Sequence, residues 1–349
     1  MSVKICVFFS LLFISLPNIY GQIGGRHVYD FLNLTTGPSV TAVGGVNVST
    51  MGDDLHMAYQ NPALLTDSMD NHLVLSYTDY LSDIGFGYAG YSRSFEGLGS
   101  FHTGVQFVDY GQLEEADQFG NRLGTYTAGD LAWTLGASRG IGQFRYGAQV
   151  KVIYSRLAPG FQSVGLAGDF GGAYFGKNGL FSAGLVIRNV GAQLTGYADT
   201  GIRENLPTQV IIGISNKLRY MPLRFSVTAI HLEEPKLYVE DPNRPVERDL
   251  NGEIIDDSPS TLDRVFRHLV FGGEFLLGQA LRIRLGYNHQ RRQELRSINR
   301  GGTTGFTFGA GLRLKRFVID YGFGSYGLNG LFHTHQFGIG MNFTKPKSS

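Results

Sequence analysis

Cysteine, long apolar runs and charge are all scarce in this chain of 349 residues. The only cysteine is Cys6, so the chain after it can form no disulfide, no thiolate metal site and no thiol nucleophile. Beyond residue 22 no continuous apolar stretch reaches the roughly 20 residues that a membrane-crossing helix needs. Charged residues make up 17% of the chain, against about 25% in ordinary globular domains. The formal net charge of +1 argues against a nucleic-acid binder, which usually carries a concentrated basic patch. What the chain does hold is glycine, 49 residues, and aromatics at 13%. The glycines have no three-residue period, which excludes collagen, and the abundant Phe and Tyr exclude a disordered polymer.

Lys4, the run from Ile5 to Leu16 and the polar break at Pro17-Asn18 predict a Sec-type signal peptide over residues 1–21. The run is too short to span a bilayer. An exported chain with no apolar helix is either soluble in the periplasm or crosses a membrane as a barrel.

Period-two alternation decides between these. Phe144, Tyr146, Ala148, Val150, Val152 and Tyr154 alternate with Arg145, Gln149 and Lys151, and Leu281, Ile283 and Leu285 alternate with Arg282 and Arg284. Two cations on one strand face do not suit a dry core, whereas a membrane barrel turns its apolar face to lipid and accepts charge and glycine in its lumen. Strands of nine to eleven residues are expected, the length a tilted membrane strand needs. They start near His72, Gly85, Ser100, Gly129, Gln143, Gly165, Leu180, Pro207, Leu223, Val265, Leu281, Thr304, Phe317 and Thr334. Every second link is short, as at Glu96 to Gly99 or Lys315-Arg316; most of the others are long, as at Tyr110 to Ala128, Ser155 to Val164 and Glu233 to Arg264. Short periplasmic turns and long outer loops are the outer-membrane arrangement. The expected fold is therefore all-β: a transmembrane antiparallel barrel of about 14 strands over residues 71–343, with a polar tail at 344–349.

One stretch, Gly52 to Met69, does not read as strand, and it predicts an N-terminal hatch or plug within residues 22–70. Arg145, Lys151, Arg224, Arg282, Arg284, Arg313 and Lys315 are candidate lumen charges that repel one another unless acids lie among them. Asp53 and Asp54 on the plug, with Glu274 and Asp320 on the wall, are the candidate partners. The connection from Glu233 to Arg264 holds ten acidic and four basic residues and four prolines. It reads as a solvated loop or as a surface where a protein partner docks through Glu233, Glu234, Glu240, Asp241, Asp256 and Asp257.

Motifs for chemistry are weak. Gly85-Phe-Gly87-Tyr-Ala-Gly90 and Gly322-Phe-Gly324-Ser-Tyr-Gly327 lack the following helix that a dinucleotide site needs. His333 and His335 have no third ligand in view, and no Gly-x-Ser-x-Gly elbow occurs. No enzyme activity, cofactor or metal is expected.

Gly44-Gly45, Gly52-Asp53-Asp54 and above all Asn61-Pro62-Ala63 resemble the N-terminal hatch of the FadL-like outer-membrane barrels. Over a longer run, Asp54 to Leu65, Met69 to Leu73, Phe107 to Gly111 and Glu115 to Asp117, the chain resembles the PorQ family, components of the type IX secretion system of Bacteroidetes. That resemblance implies an outer-membrane anchor, in contact with membrane lipid, that holds PorZ in an attachment complex with PorV and the sortase PorU. There, cargo is released and joined to the cell surface. FadL-like architecture equally implies the alternative of a transporter for hydrophobic small molecules, although the lumen expected here is cationic.

Overall fold

The computed structural model describes residues 27–80, 83–198, 201–237, 260–295, 303–325 and 333–343. Fourteen strands form one closed antiparallel barrel. They are β1 (His72–Asp79), β2 (Gly85–Phe95), β3 (Gly99–Ala116), β4 (Arg122–Ile141), β5 (Phe144–Ala158), β6 (Phe161–Phe175), β7 (Phe181–Thr195), β8 (Gln209–Lys217), β9 (Leu223–Ala229), β10 (Leu269–Leu277), β11 (Leu281–Asn288), β12 (Phe306–Leu314), β13 (Phe317–Ser325) and β14 (His333–Asn342). Each pairs with its sequence neighbours, and β1 closes the ring on β14 from His72↔Asn342 to Asp79↔His335.

The alternation sets the faces. On β5, Phe144, Tyr146, Val150 and Val152 point out and are exposed, while Gln149, Lys151 and Ile153 point in and are buried. A soluble sandwich would show the reverse, so the exposed apolar belt is a surface for lipid. No described helix is long and apolar enough to cross a membrane.

Strand length departs from expectation on one side of the barrel. β3 has 18 residues, β4 20, and β5, β6 and β7 15 each. The connections expected at Tyr110 to Ala128 and Ser155 to Val164 are instead tall hairpins that turn tightly at Asp117–Asn121 and at Pro159-Gly160. Above the lipid both faces of a strand meet water, so the apolar alternation that marks a strand disappears although the ladder continues. The strand expected near Val265 begins at Leu269, because residues Thr261–Arg267 form a helix. Ser260 caps it by accepting the Asp263 N–H at 3.2 Å, and Arg267 pairs with Asp263 one turn earlier.

The lumen is filled by residues 27–71. Short helical turns at Asp30–Asn33, Pro38–Thr41, Leu55–Gln60, Pro62–Leu64 and Asp67–Met69 succeed one another without a long helix. Pro38 and Pro62 start two of them, and Asn61, in extended conformation before Pro62, stops a third. The plug thus includes turns well before Gly52, within the 22–70 segment expected to hold it. Its Val28 N–H donates to Asn205 O at the end of the long connections, and it reaches the opposite, short-turn end at Asp53 and Asp67. The predicted signal peptide and the tail at 344–349 lie outside the described residues.

Candidate functional site

The site that sequence and fold point to is the interface of plug and wall, in three layers. At the short-turn end, Asp53 receives Arg313 at 2.5 and 2.7 Å and has Arg282 at 3.6 Å. Behind it, Arg284 bridges Glu274 at 2.9 Å and Asp320 at 2.6 Å, and Arg224 holds Glu274 at 3.1 Å. Partial burial raises the Asp53 carboxyl, but the hydrogen bond and charge of Arg313, with Arg282 adding, hold it below the ordinary carboxylate range.

Asp54 does a different job from Asp53. It caps the Leu55–Gln60 helix, accepting the His56 N–H at 3.0 Å, lies 3.1 Å from His56 Nδ1 and accepts the Ser39 hydroxyl. Burial raises this carboxyl too, and the His56 and Ser39 hydrogen bonds with the His56 and Arg284 charges outweigh it and hold it well down. Ser39, Asp54 and His56 form no nucleophile relay, since the serine donates to the acid rather than to the imidazole.

One sequence expectation needs correction here. Lys315 does not face the lumen: it occupies the β12–β13 turn, exposed, with φ of 52°. A two-residue hairpin needs that left-handed backbone, which breaks the alternation at its tip. Arg145 lines the wall but meets no acid directly; its Nη2 donates to Leu65 O at 2.7 Å, fixing the plug backbone.

In the middle layer Lys151 lies fully buried, 2.7 Å from Asp169 and 2.9 Å from Asn189 Oδ1. Gln149 donates to Asp169 at 2.5 Å and to Tyr59 O at 3.0 Å, and Tyr59 donates to Gln106 at 2.6 Å. Arg188, also buried, reaches Gln60 Oε1 at 2.9 Å and Leu32 O at 3.1 Å. Asn61 accepts the Ala63 N–H at 3.0 Å and donates to Val48 O at 2.8 Å, so the Asn61-Pro62-Ala63 motif is the staple between two plug passes. Arg188 and Asp169 do not figure in the sequence analysis. The available signal for Asp169 is an acid alternating with Leu166 and Phe170 on the strand beside Lys151.

Glycine makes this fit possible. A Cβ on Gly184 would lie 1.9 Å from Val48 O, one on Gly286 2.1 Å from Gly44 N, and one on Gly147 2.5 Å from the Pro62 carbonyl carbon. The inward glycines are where plug backbone lies directly on the wall.

At the end of the long connections the contact turns apolar. Val28, Tyr29, Phe31 and Leu32 of the plug pack on Phe86, Val108, Ala132, Ile153, Ala167 and Leu206. Of the expected docking residues, Glu233 is occupied: it accepts the Val210 N–H at 2.7 Å and lies 3.1 Å from His231 Nδ1. Burial raises its carboxyl, but these hydrogen bonds outweigh that and lower it. It clamps the end of β8 to the loop that follows β9. Glu234 follows in the same turn, donating its N–H to His231 O at 3.1 Å, and Glu240, Asp241, Asp256 and Asp257 lie outside the described residues. His333 and His335 pack against Phe323, with His335 also 2.8 Å from Tyr321 OH, and the described residues hold no metal-ligating group of three.

No family model matches the chain, and no curated protein matches it. Solved structures do. The Pseudomonas putida toluene transporter TodX matches at a TM-score of 0.51 and 11% identity over 88% of this chain and 96% of its own. The CymD monoaromatic hydrocarbon channel matches at 0.50 and 13% over 89% and 98%. At such identity the likeness is one of fold alone: a closed antiparallel β-barrel.

Proposed function

We propose that this protein is an outer-membrane barrel without chemistry of its own, which acts as a plugged platform for other proteins. The observation that carries this reading is the continuous seating of the plug from Val28 to Met69 by ion pairs, buried hydrogen bonds and apolar contacts. Two cavities flanking Asp53 have volumes of about 30 and 20 Å³, far below the roughly 150 Å³ of an apolar cavity that holds benzene. Their lining is charged, with Asp53, Asp54 and Arg282 common to both.

The finer reading, that the platform serves the type IX attachment complex and holds PorZ with PorV and PorU, rests on the sequence resemblance at Asp54–Leu65 and the shorter runs after it. Its test is affinity purification from gently extracted outer membranes. PorZ in the eluate, and loss of cargo attachment on deletion, is the expected result; a barrel that purifies alone while attachment persists sinks it.

A second reading is favoured by the structural likeness, which supports it more directly than it supports the platform. The neighbours include a toluene transporter and a monoaromatic hydrocarbon channel, so this barrel is a candidate to pass small hydrophobic molecules. Fold alone does not fix function, and passage requires the plug to move. The hydroxyls of Ser49 on the plug and Ser215 on β8 lie 2.7 Å apart, so a Ser49→Cys, Ser215→Cys pair can lock the plug. Toluene uptake by reconstituted liposomes that stops on oxidation and returns on reduction supports transport. No uptake with the plug unlocked rejects it.

A further inference from the structure

β3 and β4 outrun their neighbours. β2 pairs with β3 only up to Gly85↔Asp109, and β5 pairs with β4 only from Gly129↔Arg156, yet β3 and β4 pair with each other from Gln112↔Thr127 to Ala116↔Arg122. A two-stranded ribbon therefore stands beyond the rim with water on both faces. Such a ribbon is marginal alone, but its tip is pinned. Asp117 accepts the N–H of Phe119 and of Asn121 at 2.9 Å and the Asn121 side chain at 2.8 Å, and Gly120 supplies a φ of 83°.

The ribbon's two edges differ. The β3 edge has a bulge at its base and carries Glu114 and Glu115, devices that discourage strand pairing. The β4 edge from Gly124 to Thr127 reads Gly-Thr-Tyr-Thr, with no charge, proline or bulge within it. Arg156 ties down only its inner end, at Thr127. Near the tip, Phe119 and Leu123 are 78% and 63% exposed.

We propose that the β4 edge at Gly124–Thr127 is a strand-addition site that takes an extended, basic segment of a partner protein. The charge argument sets the partner's chemistry. Residues 109–128 contain Asp109, Glu114, Glu115 and Asp117 against Arg122 alone. The register places Glu114 beside Thr125 and Glu115 beside Gly124. Glu114 already meets Arg122 at 3.0 Å, so a strand added at about 5 Å spacing can lay a Lys or Arg across Gly124 to Glu115 and compete with Arg122 for Glu114. Main-chain hydrogen bonds supply affinity and the carboxylates select for positive charge. This site deepens the platform reading and rests on it.

The test uses the full chain in lipid nanodiscs and, as probe, a ten-residue peptide of alternating Val and Lys. A second peptide of the same sequence, N-methylated at every residue, keeps the charge and loses the N–H groups of both its edges. The expected result is binding of the first peptide and at least about tenfold weaker binding of the second. Adjacent strand residues direct their N–H groups to opposite edges, so only one of Thr125→Pro and Tyr126→Pro removes an outward donor, and that variant weakens binding while the ribbon stays paired. Glu114→Gln with Glu115→Gln weakens binding without touching the backbone. Equal binding of the two peptides, or no binding, overturns the site. Co-purified native partners that persist when the ribbon variants have lost the peptide reject this site and leave the platform standing.

Discussion

The two ends of the plug are held by opposite physics. At the short-turn end Asp53, about a quarter exposed, answers Arg313 and Arg282 in contact with water. At the other end, and in the middle, Leu32, Tyr59, Lys151, Asp169 and Arg188 are all but fully buried. Exposed ion pairs contribute little, about 0–1 kcal/mol, whereas a buried pair is costly to break because its survivor has no water to fall back on. The plug is thus anchored from the middle upward, where Arg188 holds Gln60 Oε1 and Leu32 O and Gln149, fixed by the Lys151–Asp169 pair of the wall, holds Tyr59 O, and it is only steadied at its base.

Breaking the middle tests this most severely. Asp169→Ala leaves the Lys151 ammonium in the lumen interior without its counter-charge, and we expect a loss of about 3–5 kcal/mol. Denaturant melting of the detergent-solubilised barrel reads it directly. Lys151→Met combined with Asp169→Leu removes both charges and should recover most of that loss. A smaller effect is expected from Gly184→Leu, whose side chain starts where Val48 O already sits. Overpacking of about 1–3 kcal/mol should unseat the plug around Val48 while the barrel remains closed, seen as new protease cuts within residues 45–60 at unchanged heat stability.

How much of this was legible beforehand follows the same divide. Alternating residues such as Val150, Lys151 and Val152 disclose strand, face and barrel, because lipid on one side and a polar lumen on the other impose a strict period of two. Asp53 was legible as a partner for lumen cations, since unmatched bases need an acid and few lie nearby. The ribbon at 112–127 does not read as strand, because water on both faces erases the pattern. Arg188 escaped notice because its partners, Gln60 Oε1 and Leu32 O, are uncharged, and no charge bookkeeping finds a carbonyl. The glycines showed in composition, but which of them carry plug backbone depends on a docking that strand patterns do not encode.

Neutralising the base of the plug should do much less. For Asp53→Asn we expect about 0.5–1 kcal/mol or less, shrinking as added salt screens the wild-type pair. An Asp53→Asn protein as unstable as Asp169→Ala would break the comparison outright.

Acid sharpens it last. Arg313 and Arg282 hold the Asp53 carboxyl below its unfolded value, and Asp54 shifts the same way through His56 and Ser39. A carboxylate lowered on folding contributes its full stability above the unfolded pKa, about 4, and loses it as the pH falls through the lower folded value. The base should therefore be indifferent between pH 7 and 5 and loosen only below about pH 4. Pepsin, active in acid, reports it: cuts near Gly52-Asp53 should appear below that point before any near Tyr29–Leu32, where burial raises the Asp30 carboxyl so that taking up its proton costs the fold nothing. Pepsin cutting both ends together would mean that the plug moves as one body and that its two ends are not held independently.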